Sequence, residues 1–140
     1  MKRLKTMELT GKLEELEEKM LIENDLAGIG WKIEDFRIIS NNFTEAQDNT
    51  YVARLQTTPF IDQTRASWDR NDVLALATYG GGANEQILDM VSLITDELYI
   101  SNCTQTSTIA DKSICYQLIL GQYKISDVEQ VVAQVKNSQG

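Results

Sequence analysis

Two stretches of the chain, DVLALATY at 72–79 and KSICYQLILGQYKI at 112–125, carry apolar residues on both faces when drawn as extended strands. A strand of that kind has to be covered on both sides. This requirement constrains the fold more than any other feature. It demands a sheet with layers packed against it, and it excludes an open, one-sided ribbon. With 140 residues, 42% of them apolar and a single proline at Pro59, the chain is long enough to meet it as one domain over 1–140.

Periodicity supplies the expected cover. Leu9, Leu13, Leu16 and Met20 recur at spacings of four, three and four. That stripe predicts an amphipathic helix over about 6–24. Glu8–Lys12 and Glu15–Lys19 would support it as i,i+4 pairs, and Gly11 would weaken its start. After the three glycines at 80–82, Ile87, Val91, Ile94 and Leu98 fall on one side of a second helix. Ser126-Asp127-Val128-Glu129 reads as a capping box, and Val128, Val131, Val132 and Val135 as the buried stripe of a third helix over about 126–138.

Strands fill the space between. In AGIGWKIEDFRIIS, Trp31 and Ile33 alternate in one phase and Phe36 and Ile38 in the other, so a bulge or break is expected near Glu34–Asp35. TYVARLQ places Tyr51, Ala53 and Leu55 on one face and Arg54 and Gln56 on the other. YISNCT and KSICYQLILGQYKI read as the arms of a hairpin, which would set Cys103 nearly opposite Cys115. The expected fold is α+β: a mostly antiparallel sheet of four to five strands with an N-terminal, a middle and a C-terminal helix packed on it.

The chain has no histidine. This removes the commonest general base, the usual serine and cysteine catalytic pairs and the usual catalytic zinc site. The glycines at 80–82 sit between a strand and a following element, the layout of a phosphate cradle. However, Ala83, Asn84 and Glu85 follow where a lysine and a hydroxyl are needed, and no third spaced glycine completes a dinucleotide fingerprint. The stretch therefore reads as a turn. No catalytic residue, cofactor or metal is expected, and the chain reads as a non-enzyme.

The formal net charge is −8. That argues against a sequence-independent grip on nucleic acid and against docking on anionic lipid. Between Asn71 and Asp111 there is no Lys or Arg, while Asp72, Glu85, Asp89, Asp96, Glu97 and Asp111 lie there. One face is expected to be acidic: a solvated surface, or a complement to a basic partner. The start, MKRLKTMELTGKLEEL, has no apolar core and does not read as a signal peptide, so synthesis in the cytoplasm and reduced cysteines are expected. In the polar loop at 64–70, Arg65, Trp68 and Arg70 are of the residue types enriched at interface hot spots. Together with Glu85 and Asp89 they are the interface candidates; an equally open reading has Trp68 tucked over a sheet edge and the arginines paired locally.

In order and hydrophobicity, WDRNDVLALATYGGGANEQILDMVSLITDELY followed by DKSICYQLILGQYKI, together with the N-terminal segment, resembles the tail-terminator (head–tail joining) proteins of long-tailed bacteriophages. The similarity is one of pattern over most of the chain and not of a diagnostic motif. It implies a non-enzymatic subunit of a six-membered ring capping a tail tube, with other structural proteins as partners and the virion as destination. The acidic span would then line a channel through which DNA slides. The other reading that fits the composition is a small acidic inhibitor, immunity or ligand-sequestering protein that occupies a basic partner or binds a small ligand.

Overall fold

The computed structural model describes residues 2–23, 28–40, 50–59, 72–80, 83–104, 112–126 and 132. It corrects the expected α+β class. Eight strands follow one another: β1 (Lys2–Leu13), β2 (Glu18–Glu23), β3 (Ile29–Ser40), β4 (Thr50–Gln56), β5 (Val73–Gly80), β6 (Ala83–Leu88), β7 (Glu97–Asn102) and β8 (Ile114–Lys124). They form two antiparallel sheets, a three-stranded one in the order β1-β8-β3 and a five-stranded one in the order β2-β7-β4-β5-β6. Among the described residues, the cover on one face of the two-faced apolar strands comes from a second sheet where helices were expected.

The N-terminal helix over 6–24 is replaced by β1 and β2. Met7, Leu9 and Leu13 are spaced by two and four, so the same residues also satisfy a strand period, and pairing with β8 selects it. Of the apolar stripe, Leu13 is buried and Leu9 packs against the core, but Leu16 sits in the β1–β2 turn with a positive φ and Met20 is largely exposed. Gly11, a weak point for a helix, has a role in the strand. A Cβ there would meet the Tyr116 hydroxyl at 2.5 Å, because the Tyr116 side chain lies across it.

The middle helix is replaced by β6, an irregular segment and β7. Gly80 pairs with Ala83, which leaves two residues between β5 and β6. Two is the favoured length of a tight hairpin connection. The open hydrogen-bonding edge of β5 then recruits ANEQIL as a strand despite its poor β propensity. The hairpin expected from 99–125 is also absent, since β7 and β8 belong to different sheets. Cys115 lies beside Lys12 and Ser40 in the three-stranded sheet, and the two cysteines form no disulfide with each other. The expected C-terminal helix lies outside the described residues, apart from Ser126 at its start and Val132.

The strand expectations fare better. A register shift between Ile33 and Asp35 marks the bulge at Glu34, and it brings Trp31, Ile33, Phe36 and Ile38 all to the core side. Tyr51, Ala53 and Leu55 of β4, Ala75 and Ala77 of β5, Leu98 and Ile100 of β7, and Ile114, Tyr116, Leu118 and Leu120 of β8 complete the core between the sheets. β3 packs against β5 and β6, and Gln86 donates to Asp35 at 2.6 Å. The opposite flank holds β1 and β2, joined by a tight turn in which the Glu17 amide donates to the Glu14 carbonyl at 3.1 Å.

One fully buried side chain ties two of the four places where the chain changes sheets. The Asn102 amide donates to the carbonyls of Glu14 at 3.0 Å and Lys112 at 2.8 Å, with a longer contact to Leu13 at 3.5 Å. Its side-chain oxygen accepts from the Thr104 amide at 3.1 Å, and its own backbone N–H donates to Glu17 at 2.9 Å. Replacing it with Ala strands two part-buried carbonyls and one buried N–H, at about 1–3 kcal/mol each before relaxation. Asn102→Ala is expected to lose about 3–4 kcal/mol in urea unfolding. Asn102→Asp is expected to lose at least as much, because a carboxylate would face those two carbonyls.

Candidate functional site

On the side of the five-stranded sheet away from the core, β2, β7 and β4 bring Glu18, Ser101 and Arg54 into one cross-strand row, with Gln56 beside them. Arg54, Gln56 and Ser101 are fully buried. Arg54 Nε donates to Gln56 Oε1 at 3.2 Å. Gln56 Nε2 donates to Ser101 Oγ at 2.9 Å and to Glu18 Oε1 at 2.5 Å, and Ser101 Oγ donates to the same Glu18 oxygen at 3.1 Å. The row therefore holds a buried cation and a carboxylate joined through neutral groups.

Tyr99 lies on the same face, opposite Met20 and Gln56. Its hydroxyl donates to Glu97 in a short hydrogen bond. That bond, then burial, then the charges of Glu97, Glu18 and Glu23 push its pKa up to about 12. Glu23 sits directly opposite Glu97. Burial, aided by the charge of Glu17, also pushes Tyr116 up.

The row continues through Leu76 of β5 to Ile87 of β6. There a shallow cavity of about 190 Å³ is lined by Leu76, Thr78, Glu85, Gln86 and Ile87. Of the interface candidates, Glu85 borders this cavity, exposed on an outermost strand and not in the first turn of a helix. Asp89 follows β6 and accepts from the Val91 and Ser92 amides at 3.0 and 2.9 Å and from the Ser92 hydroxyl at 2.5 Å, so its carboxylate shapes the turn that leaves the strand. Arg65, Trp68 and Arg70 lie outside the described residues.

Arg54 and Gln56 were legible as one face of β4 in the alternation TYVARLQ, but nothing in that pattern says the polar face is buried. Tyr99 and Glu97 lie two apart on β7, so an extended backbone sets them on one face, whereas Glu18 reaches that face only through the pairing of β2 with β7. Among the described residues, no group of three or more Cys, Asp or Glu side chains is placed to hold a metal, and no helix is long and apolar enough to cross a membrane.

A tyrosine whose folded pKa exceeds its unfolded value near 10 stabilises the fold below pH 10, and that contribution is lost as the pH rises to about 12. The denaturation midpoint is therefore expected to fall between pH 10 and 12. Tyr99→Phe is expected to flatten that fall and to remove the late-ionising component from the absorbance titration at alkaline pH. No protein-family description, curated protein sequence or solved structure matches this chain.

Proposed function

We propose that the protein is a non-enzymatic structural subunit that works by assembling with copies of itself and with other structural proteins. The observation that carries this reading is the outer edge of β6. It is the last strand of its sheet and exposed along almost its whole length, with Ile87 54% exposed, and it is followed by Met90 at 52% and Val91 at 79%. An outermost strand presents unpaired backbone groups, and apolar residues beside them mark an interaction surface. The narrower form, a terminator or connector ring of a phage tail, keeps the acidic span between Asn71 and Asp111 as its support. The helix–strand order that suggested it is not the order of this fold.

The same acidic span favours a second reading, an inhibitor or immunity protein that covers a basic partner one to one. Light scattering after size exclusion, at low and moderate salt, with negative-stain images of any large species, separates the two. Assembly into a closed species of several subunits is the expected result. A monomer at every concentration and salt would retire the assembly reading and turn attention to capture of a basic partner.

A further inference from the structure

Charge is distributed unevenly for a chain of net charge −8. Of its 13 Lys and Arg residues, five (Lys2, Arg3, Lys5, Lys32 and Lys124) gather at one end of the three-stranded sheet. Two of them are occupied. Arg3 donates through Nε to Glu34 at 2.9 Å, passing over Gly121, where a Cβ would collide with the Glu34 carboxylate. Lys32 lies over the Tyr123 ring at 5.2 Å. The other three form no ion pair with a described residue, and all are exposed. Lys2 and Lys124 moreover stand directly opposite each other across the β1–β8 ladder. Like charges so placed destabilise a sheet. An external anion would relieve that repulsion.

We propose that this basic end of β1 docks head to tail on the β6 edge of a second copy. This rests on the assembly reading above and names its surfaces. Both are outermost strands. Both carry exposed apolar side chains, Leu4 at 45% on β1 against Ile87, Met90 and Val91 at β6. Their charges are opposite: Glu85 is exposed, forms no ion pair with a described residue, and lies in a span without one cation. Pairing like with like fails on the same ground, since β1 on β1 sets lysines against lysines and β6 on β6 finds no cation. β1 lies on the flank shared with β2, and β6 on the flank shared with β3. The contact is therefore heterologous. It repeats from copy to copy and closes as a ring if the rotation allows. A nucleic acid is the less suited occupant, because its phosphates would meet the net negative charge of the rest of the chain.

Two variants test this by light scattering at low salt: Glu85→Lys, and Lys2→Glu with Lys5→Glu. All three positions are exposed, so folding is expected to be unchanged and is checked by circular dichroism. Each variant alone presents like charge to like and is expected to need at least about tenfold more protein to assemble than the parent chain. Mixed one to one, each basic edge finds an acidic edge, and assembly is expected to return. Raising the salt is expected to weaken the parent assembly. A parent chain that assembles while neither variant weakens it overturns these surfaces and leaves the assembly reading standing. A parent chain that stays monomeric overturns both. Loss of binding to a short random-sequence DNA duplex on Lys2→Glu/Lys5→Glu, with self-assembly unchanged, would assign the lysines to nucleic acid instead.

Discussion

The fold depends on a buried amide that reads backbone rather than side chains. The chain changes sheets four times, and two of these crossings, between β1 and β2 and between β7 and β8, meet at Asn102. Each crossing leaves carbonyls and amides that neither ladder can pair. Asn102, with no solvent exposure, meets groups from both crossings at once. Asparagine is suited to this because its amide offers two donors and its oxygen two acceptor sites on a short stem. An apolar residue there would leave the crossings unsatisfied, and the sheets would lose their common anchor. Thr104 extends the same node, accepting the Val52 amide at 2.9 Å and so tying the end of β7 to β4.

A second polar tie acts within the five-stranded sheet. A strand that slips by one residue exchanges its two faces. For β4 a slip would drive Arg54 and Gln56 into the space now filled by Ala53 and Leu55, and would break their bonds to Ser101 and Glu18. The row Glu18–Ser101–Arg54 therefore locks the registers of β2, β7 and β4 against each other. Buried polar groups add little net stability, but they make the wrong arrangement costly. That is one physical role for a fully buried arginine in a chain whose surface is acidic.

The sequence carried the strands better than it carried the helices. Trp31, Ile33, Phe36 and Ile38 showed the bulge in β3 because a phase change in a period-two pattern has few other causes. Tyr51, Ala53 and Leu55 showed the face of β4 for the same reason. Residues 6–24 misled because Leu9 and Leu13 lie four apart, a spacing common to both periods. What decided between helix and strand was the open edge of β8, more than a hundred residues away. Residues 83–88 misled for a related reason: Ala, Glu and Gln favour helix, and only the unpaired edge of β5 makes them a strand. Of the candidate site, the position of Glu85 on an exposed edge was out of reach for a reading that placed it on a helix. The Tyr99–Glu97 pair needed Glu97 to be read as strand and not as helix, and the Lys2–Lys124 opposition exists only once registers are known.

The edges show how such a fold manages association. A long outermost strand recruits any neighbouring chain that can extend the sheet, and lysines along it are the usual deterrent. β1 carries three in its twelve residues, and a fourth faces it from β8. On a basic protein this would be deterrence alone. On an acidic one the same lysines become selective, because they repel a second β1 and attract the acidic edge. β6 has the converse character: exposed apolar residues on it and just after it, a Glu85 carboxylate that forms no ion pair with a described residue, and no cation. In the proposed head-to-tail contact, a pair of edges with opposite charge and little tolerance for their own kind would specify order as well as contact, with one neighbour on each flank of a copy. A net charge of −8 would then limit growth that bypasses those edges, because other juxtapositions of two copies bring mostly like charge together.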